Sequence, residues 1–148
     1  MKRLSLFLGL IILAFSACQK DAETITIDSA LPQGTFAVIR QGSITEQNST
    51  GSKGTVQIGQ DSKSIHFLKF GSDFTTVLAT GTVTVYFSTS NTFKADPAKG
   101  NPDLKLAGTV VKNGEMYIKL TGPIESKFTH LILWCGSANI PFGNATLN

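Results

Sequence analysis

Thr55-Val56-Gln57-Ile58, Gly59-Gln60-Asp61-Ser62 and Ser64-Ile65-His66-Phe67-Leu68-Lys69-Phe70 decide the fold class. The first run alternates polar and apolar residues with period two, and the second is made of turn residues. The third is strand-like again. Two such runs about a short turn read as neighbouring strands whose side chains project alternately to opposite faces. The same text continues in both directions. Upstream, Thr24-Ile25-Thr26-Ile27 alternates, Leu31-Pro32-Gln33-Gly34 interrupts, residues 36–44 read as a strand and 48–54 as a loop. Downstream, strands are expected over 75–79, 82–88, 104–111, 116–120, 129–135, 139–142 and 145–147. Lys112-Asn113-Gly114-Glu115 suits a hairpin turn between two of them. Ser90 to Pro102 is the longest loop.

Nine or ten short strands with frequent turns define an all-β, single-domain antiparallel β-sandwich or flattened barrel. The one helical candidate is the short stretch 122–127. A chain of 148 residues is one domain by length. Alternation places Ile58, Phe67, Val85, Leu120, Leu133 and Phe142 in the core.

The first seventeen residues carry a different message. Lys2 and Arg3 precede an apolar stretch from Leu4 to Phe15, interrupted by Ser5 and Gly9. That is the length of a signal-peptide core, and it falls short of the ~20 residues a membrane-spanning helix needs. Residues 1–17 are therefore expected to be a signal peptide. Lys2 and Arg3 are two of the 13 basic residues, so beyond the leader bases nearly balance the 10 acids. The formal charge of +3 thus gives no support for a nucleic-acid partner.

Phe15-Ser16-Ala17-Cys18 resembles the lipobox of bacterial lipoproteins, whose cysteine is lipidated and heads the mature chain. Ala14-Phe15-Ser16 also reads as an ordinary cleavage site. The lipobox reading makes Cys18 the lipidation site and residues 18–33 a lipidated cysteine and tether. It expects a protein in the cell envelope, anchored to the outer membrane, with surface display favoured over the periplasmic leaflet. Gln19-Lys20-Asp21-Ala22-Glu23 resembles a surface-export signal of Gram-negative lipoproteins, and it equally suits a solvated spacer.

Catalytic constellations are scarce. Nucleophile-elbow, phosphate-loop and calcium-loop patterns are missing, and Asp96 and Asp103 flank a loop. His66, His130 and Cys135 do not have metal-binding spacing, so no metal site is expected. His66 shares a face with Leu68 and Phe70, as a core histidine would, and His130 begins a strand at its rim. Cys135 remains. With Cys18 lipidated it is the only thiol of an exported chain, and it ends the most apolar run, just before Gly136-Ser137. Leu131, Leu133 and Cys135 share one face, while Ile132 and Trp134 take the other, so both faces need a cover. Bare of context, such a cysteine is an inert small hydrophobe or a reactive group at a partly accessible strand end. His66 and Lys127 are the candidates to activate it.

From Gly34 onward the chain resembles the electron-transfer DM-thirteen domain, a small all-β module associated with DOMON domains. The landmarks are Gly34-Thr35-Phe36, Gly54-Thr55-Val56-Gln57-Ile58, Ile65 to Phe70, Val85-Tyr86-Phe87-Ser88, and Leu106 to Val110 with Gly114-Glu115-Met116-Tyr117. The most specific is the end: Leu131-Ile132-Leu133-Trp134-Cys135, then Ile140-Pro141-Phe142-Gly143-Asn144-Ala145-Thr146-Leu147. The family's Gly-Pro-Asp/Glu-Leu segment reads Gly81-Thr82-Val83-Thr84 here, without the proline and the acid. The resemblance makes residues 34–148 the functional domain. It implies that Cys135, in the family's Trp-Cys position, is a redox thiol or the ligand of a haem-like group, with Trp134 beside it. It also implies a redox partner protein. A non-catalytic cell-surface binding module is the alternative, and a structural envelope lipoprotein the third reading.

Changing Cys18 to Ala is expected to release the protein from cell membranes or stall its processing. Membrane fractionation checks this, and a variant that stays membrane-bound at its mature size contradicts it.

Overall fold

The computed structural model describes residues 30–94 and 101–148. The leader, Cys18, most of the tether, the 24–27 strand and Asp96 lie outside the described residues. Eight strands follow in chain order: β1 (Ala37–Glu46), β2 (Gly54–Gln60), β3 (His66–Phe70), β4 (Val83–Ser88), β5 (Leu104–Thr109), β6 (Met116–Lys119), β7 (His130–Cys135) and β8 (Ile140–Thr146). They form one sheet in the order β5-β4-β7-β8-β1-β2-β3-β6, with every pair antiparallel. The end strands β5 and β6 approach each other where Gly108 lies against Ile118, so the sheet curls into a nearly closed, flattened barrel. Among the described residues there is no helix, and 122–127 forms turns instead.

The quoted hairpin folds as its alternation requires. Val56 and Ile58 point inward on β2 opposite Phe70 and Leu68 on β3, and all four are buried. Phe67 is also buried, but on the outer face, where Tyr117 meets its ring edge-on at 6.3 Å and Phe36 covers the adjacent Gly59. Ile58, Val85, Leu120, Leu133 and Phe142 are all in the main core. A Cβ at Gly59 would overlap the Phe36 ring, so glycine is needed for that cover to close.

Three expectations change. Residues 75–79 form no strand; Thr75 makes a single bridge to Lys53, while Phe74 turns into the core against Phe70, ring centroids 4.4 Å apart. The segments 104–111 and 116–120 are not a hairpin, because β5 pairs with β4 and β6 with β3. Asn113-Gly114 crosses the barrel end instead: the Asn113 amide clasps the Thr76 backbone through bonds of 2.9 and 3.2 Å, and Gly114 N–H donates to the Phe74 carbonyl. The third is that 139–142 and 145–147 belong to one strand, β8. The register against β7 shifts by one residue between Leu133↔Gly143 and Trp134↔Pro141, a bulge that admits a proline in an interior strand.

Two anchors hold the loops. Arg40 donates to the carbonyls of Phe128 (2.7 Å) and Ile124 (3.4 Å), pinning the connection into β7, and its partial burial lowers its pKa. The Asp61 carboxylate accepts from the N–H groups of Lys63 (2.8 Å), Ile65 (2.9 Å) and Gln33 (3.0 Å), closing the β2–β3 turn and fastening the segment before β1. Burial pushes this carboxyl up. The backbone donors Gln33, Ile65 and Lys63, with the Lys119 charge, outweigh it and hold the pKa below the usual carboxylate range.

A depressed carboxylate pKa gives stability that is present above the unfolded value, ~4, and is lost as pH falls through the folded value. Asp61→Asn turns an amide donor toward one of these N–H groups and removes the titration. The variant is expected to be less stable at neutral pH and to lose less on acidification than the parent. Urea melts across the acid range check this; parallel pH profiles would contradict it.

Candidate functional site

Cys135 is the last residue of β7, paired with Val83 of β4 on one side and Ile140 of β8 on the other. The pleat turns it inward with Leu131 and Leu133. It is a free thiol, 0 % exposed, so the expectation of partial accessibility is corrected. Two turns close over it. Thr80-Gly81 leads into β4, and Gly136 to Asn139 joins β7 to β8. Cys135 Sγ lies 3.3 Å from Ser137 Oγ, 3.8 Å from Thr80 Oγ1 and 4.0 Å from the Thr80 carbonyl. Ser137 Oγ in turn donates to the Thr80 carbonyl at 2.6 Å, latching one turn to the other. Gly81 makes this latch sterically feasible: its φ is +126°, and a Cβ there would collide with Ser137 Oγ.

The thiol pKa is lowered, first by the hydrogen bond from Ser137. Burial opposes this, and the Ala138 backbone, the Thr80 hydroxyl and the Ser137 backbone add to the lowering. Every contributing group is neutral. His66 and Lys127, the activators expected from the sequence, are not among them. His66 lies opposite Gln60 on β3, and Lys127 pairs with Glu125 at 3.3 Å. The residues that sequence reasoning missed are Thr80 and Ser137; only the Gly-Ser pair directly after the cysteine signalled one of them.

The single Ser137 proton couples the latch to the thiol. With Cys135 protonated, S–H can donate to Ser137 while Ser137 donates to the Thr80 carbonyl. The one hydroxyl proton serves either a Cys135 thiolate or the Thr80 carbonyl, not both.

Trp134 faces outward and does not line the thiol site. Phe93, from the loop after β4, stacks on it with ring centroids 3.9 Å apart and 16° between planes, and Tyr86 meets Phe93 at 5.2 Å. This cluster supplies the outer cover that Ile132, also 0 % exposed, requires. A haem-like group does not fit these residues. The sulfur has no free surface, and the space beside Trp134 is taken by Phe93. Met116 is buried in the hydrophobic core on β6, and His130 Nδ1 is 2.9 Å from Thr129 Oγ1 at the other end of β7. Among the described residues no three His, Cys, Asp or Glu side chains gather as a metal site, and no helix is long and apolar enough to cross a membrane.

Fold and site together define an antiparallel β-barrel module that buries one thiol under two hydroxyl-bearing turns. The chain belongs to the Electron transfer DM13 family, whose model matches residues 43–147. That span takes in both turns and the whole β7–β8 ending; the Gly34-Thr35-Phe36 landmark lies before it. No curated protein and no solved structure matches the chain.

Gly81→Ala is expected to displace the Ser137 hydroxyl and raise the rate of native-state thiol alkylation about tenfold, the equivalent of roughly one net hydrogen bond. Alkylation kinetics followed by intact mass, with a circular dichroism spectrum confirming the fold, check this. An unchanged rate in a folded variant contradicts the latch.

Proposed function

We propose that this electron-transfer module uses the Cys135 thiol as its redox group and works at the cell envelope, anchored by acyl chains on Cys18. The observation that carries the reading is the thiol at a strand end, surrounded by hydrogen-bonding groups that favour its thiolate. A cysteine serving only as filler needs none of them. Membership in an electron-transfer family supports the same reading.

The chemistry available to one thiol is exchange with a partner. Cys135 gives its proton to solvent, and the thiolate attacks a sulfur of a partner disulfide. A mixed Cys135–partner S–S bond forms as the partner's own S–S bond breaks, and the other partner sulfur leaves as thiolate. Cys135 is oxidised and the partner disulfide is reduced. The latch must open first, so the rate depends on how easily Thr80 and Ser137 separate. Trp134 and its aromatic neighbours hold the outer side of the same strand, which keeps the sulfur at a fixed depth while the turns move.

The lipobox-like Phe15-Ser16-Ala17-Cys18 and the charged Lys20–Glu23 stretch support display at the outer membrane surface. Two or more acyl chains at ~0.8 kcal/mol per buried CH₂ suffice for stable attachment.

The test uses an aromatic disulfide as the surrogate partner. The native protein should release one aromatic thiol per chain, faster as pH rises through a midpoint lowered from the ordinary cysteine value. Cys135→Ser should abolish the release. Reaction only after denaturation would leave Cys135 a buried hydrophobe and reject the redox reading.

A further inference from the structure

The outer face of β2, β1 and β8 carries a groove of about 750 Å³ that shares no residue with the Cys135 site. Its shape follows from an interruption in one ladder. β1 is bonded to the end of the chain through Gln41 and Asn148 (2.8 and 2.9 Å) and pairs with β8 again at Thr45↔Asn144. Between these points Gly42 sits so close to the Thr146 carbonyl that a Cβ would overlap it. Gly42 faces inward beside Ala145, and the groove is lined by the outward side chains of its neighbours on β1, β2 and β8.

Those side chains are of one chemical kind. Gln41, Gln57, Asn144 and Asn148 contribute amides, and Ser43, Thr45, Thr55 and Thr146 contribute hydroxyls. No charged or aromatic side chain lines the groove. Most of these polar groups are uncommitted: among the described residues, the side chains of Ser43, Thr45, Asn144 and Thr146 make no hydrogen bond to the protein. Gln57 Nε2 reaches Gln41 Oε1 only at 3.5 Å. Thr55 is the exception, its hydroxyl donating to Asp73 at 2.9 Å, which leaves its oxygen free to accept.

This lining selects a ligand class. Without Lys or Arg it offers an anion no counter-charge, and no Asp or Glu side chain lines it for a cation. Without apolar side chains it gains little from a hydrophobic guest. An extended peptide would need a free sheet edge, but β1 is paired on both sides, to β2 and β8. Amides and hydroxyls both donate and accept, as sugar hydroxyls do, and the volume lies in the range of small-molecule sites, roughly 300–1,000 Å³. We propose that this groove binds a neutral saccharide through the amides of Gln41, Gln57 and Asn144 and the hydroxyls flanking Gly42. With no aromatic platform the affinity is of millimolar order, set by hydrogen bonds of modest net worth.

The test is a titration of the ¹⁵N-labelled protein with cellotriose, maltotriose and chitotriose separately, and with trialanine as the peptide probe. At least one saccharide is expected to shift the backbone amides of 41–45, 55–57 and 144–148 saturably. Gln57→Ala and Asn144→Ala should each weaken that binding about tenfold, or about 1.4 kcal/mol. The same spectra report whether each variant is folded, and Gln41→Ala, at an exposed position, serves if either is not. No saturable shift with any saccharide would overturn the proposal. So would shifts elsewhere on the barrel, a response to trialanine alone, or folded variants that bind as the parent does.

Discussion

β7 carries Leu131, Ile132, Leu133, Trp134 and Cys135 in succession, and a pleated strand must send these apolar side chains to both faces of its sheet. An ordinary outer strand solves this with polar residues on one side. Here both sides have to be covered, and much of the molecule is the consequence. The barrel interior takes Leu131, Leu133 and Cys135. The loop after β4 returns over the outside so that Phe93 stacks on Trp134, with Tyr86 beside it, and Ile132 disappears beneath. Arg40 holds the chain entering the strand through the Phe128 carbonyl, and the bulge in β8 follows the strand's far end.

The cover at that far end differs in kind. It is made of two turns and three polar atoms rather than hydrophobic packing. Burial of a thiol raises the cost of ionising it, while hydrogen bonds to the thiolate lower that cost. At Cys135 the hydrogen bonds win, and the largest contribution comes from a hydroxyl that also serves as the mechanical latch. A neutral environment does this without a cation.

The fold was largely legible because alternation and turn residues are local signals. The hairpin of β2 and β3, strand β4 and the apolar β7 are close to where the pattern puts them, and the six residues expected in the interior are buried. The errors came from long-range pairing. Asn113-Gly114 has hairpin chemistry, yet its amide is spent on Thr76, and the flanking strands join opposite ends of the sheet. Residues 75–79 have strand-like composition but make a single β-bridge, Thr75 to Lys53. Gly143-Asn144 reads as a break between two strands, yet β8 runs through it from Ile140 to Thr146. The site was half legible: the cysteine announced itself by type and position, whereas Thr80, 55 residues away, could only be brought to it by folding.

Neutral hydrogen bonds from the two turns, led by Ser137, poise Cys135 toward thiolate. The most direct test of that poise is the thiol titration itself, followed in the folded protein by the ¹³Cβ shift of labelled cysteine, in the parent and in Ser137→Ala. A parent midpoint below that of a free cysteine, and a higher one once the hydroxyl is removed, is the expected result. A parent midpoint at or above the free value, unmoved by Ser137→Ala, would contradict it.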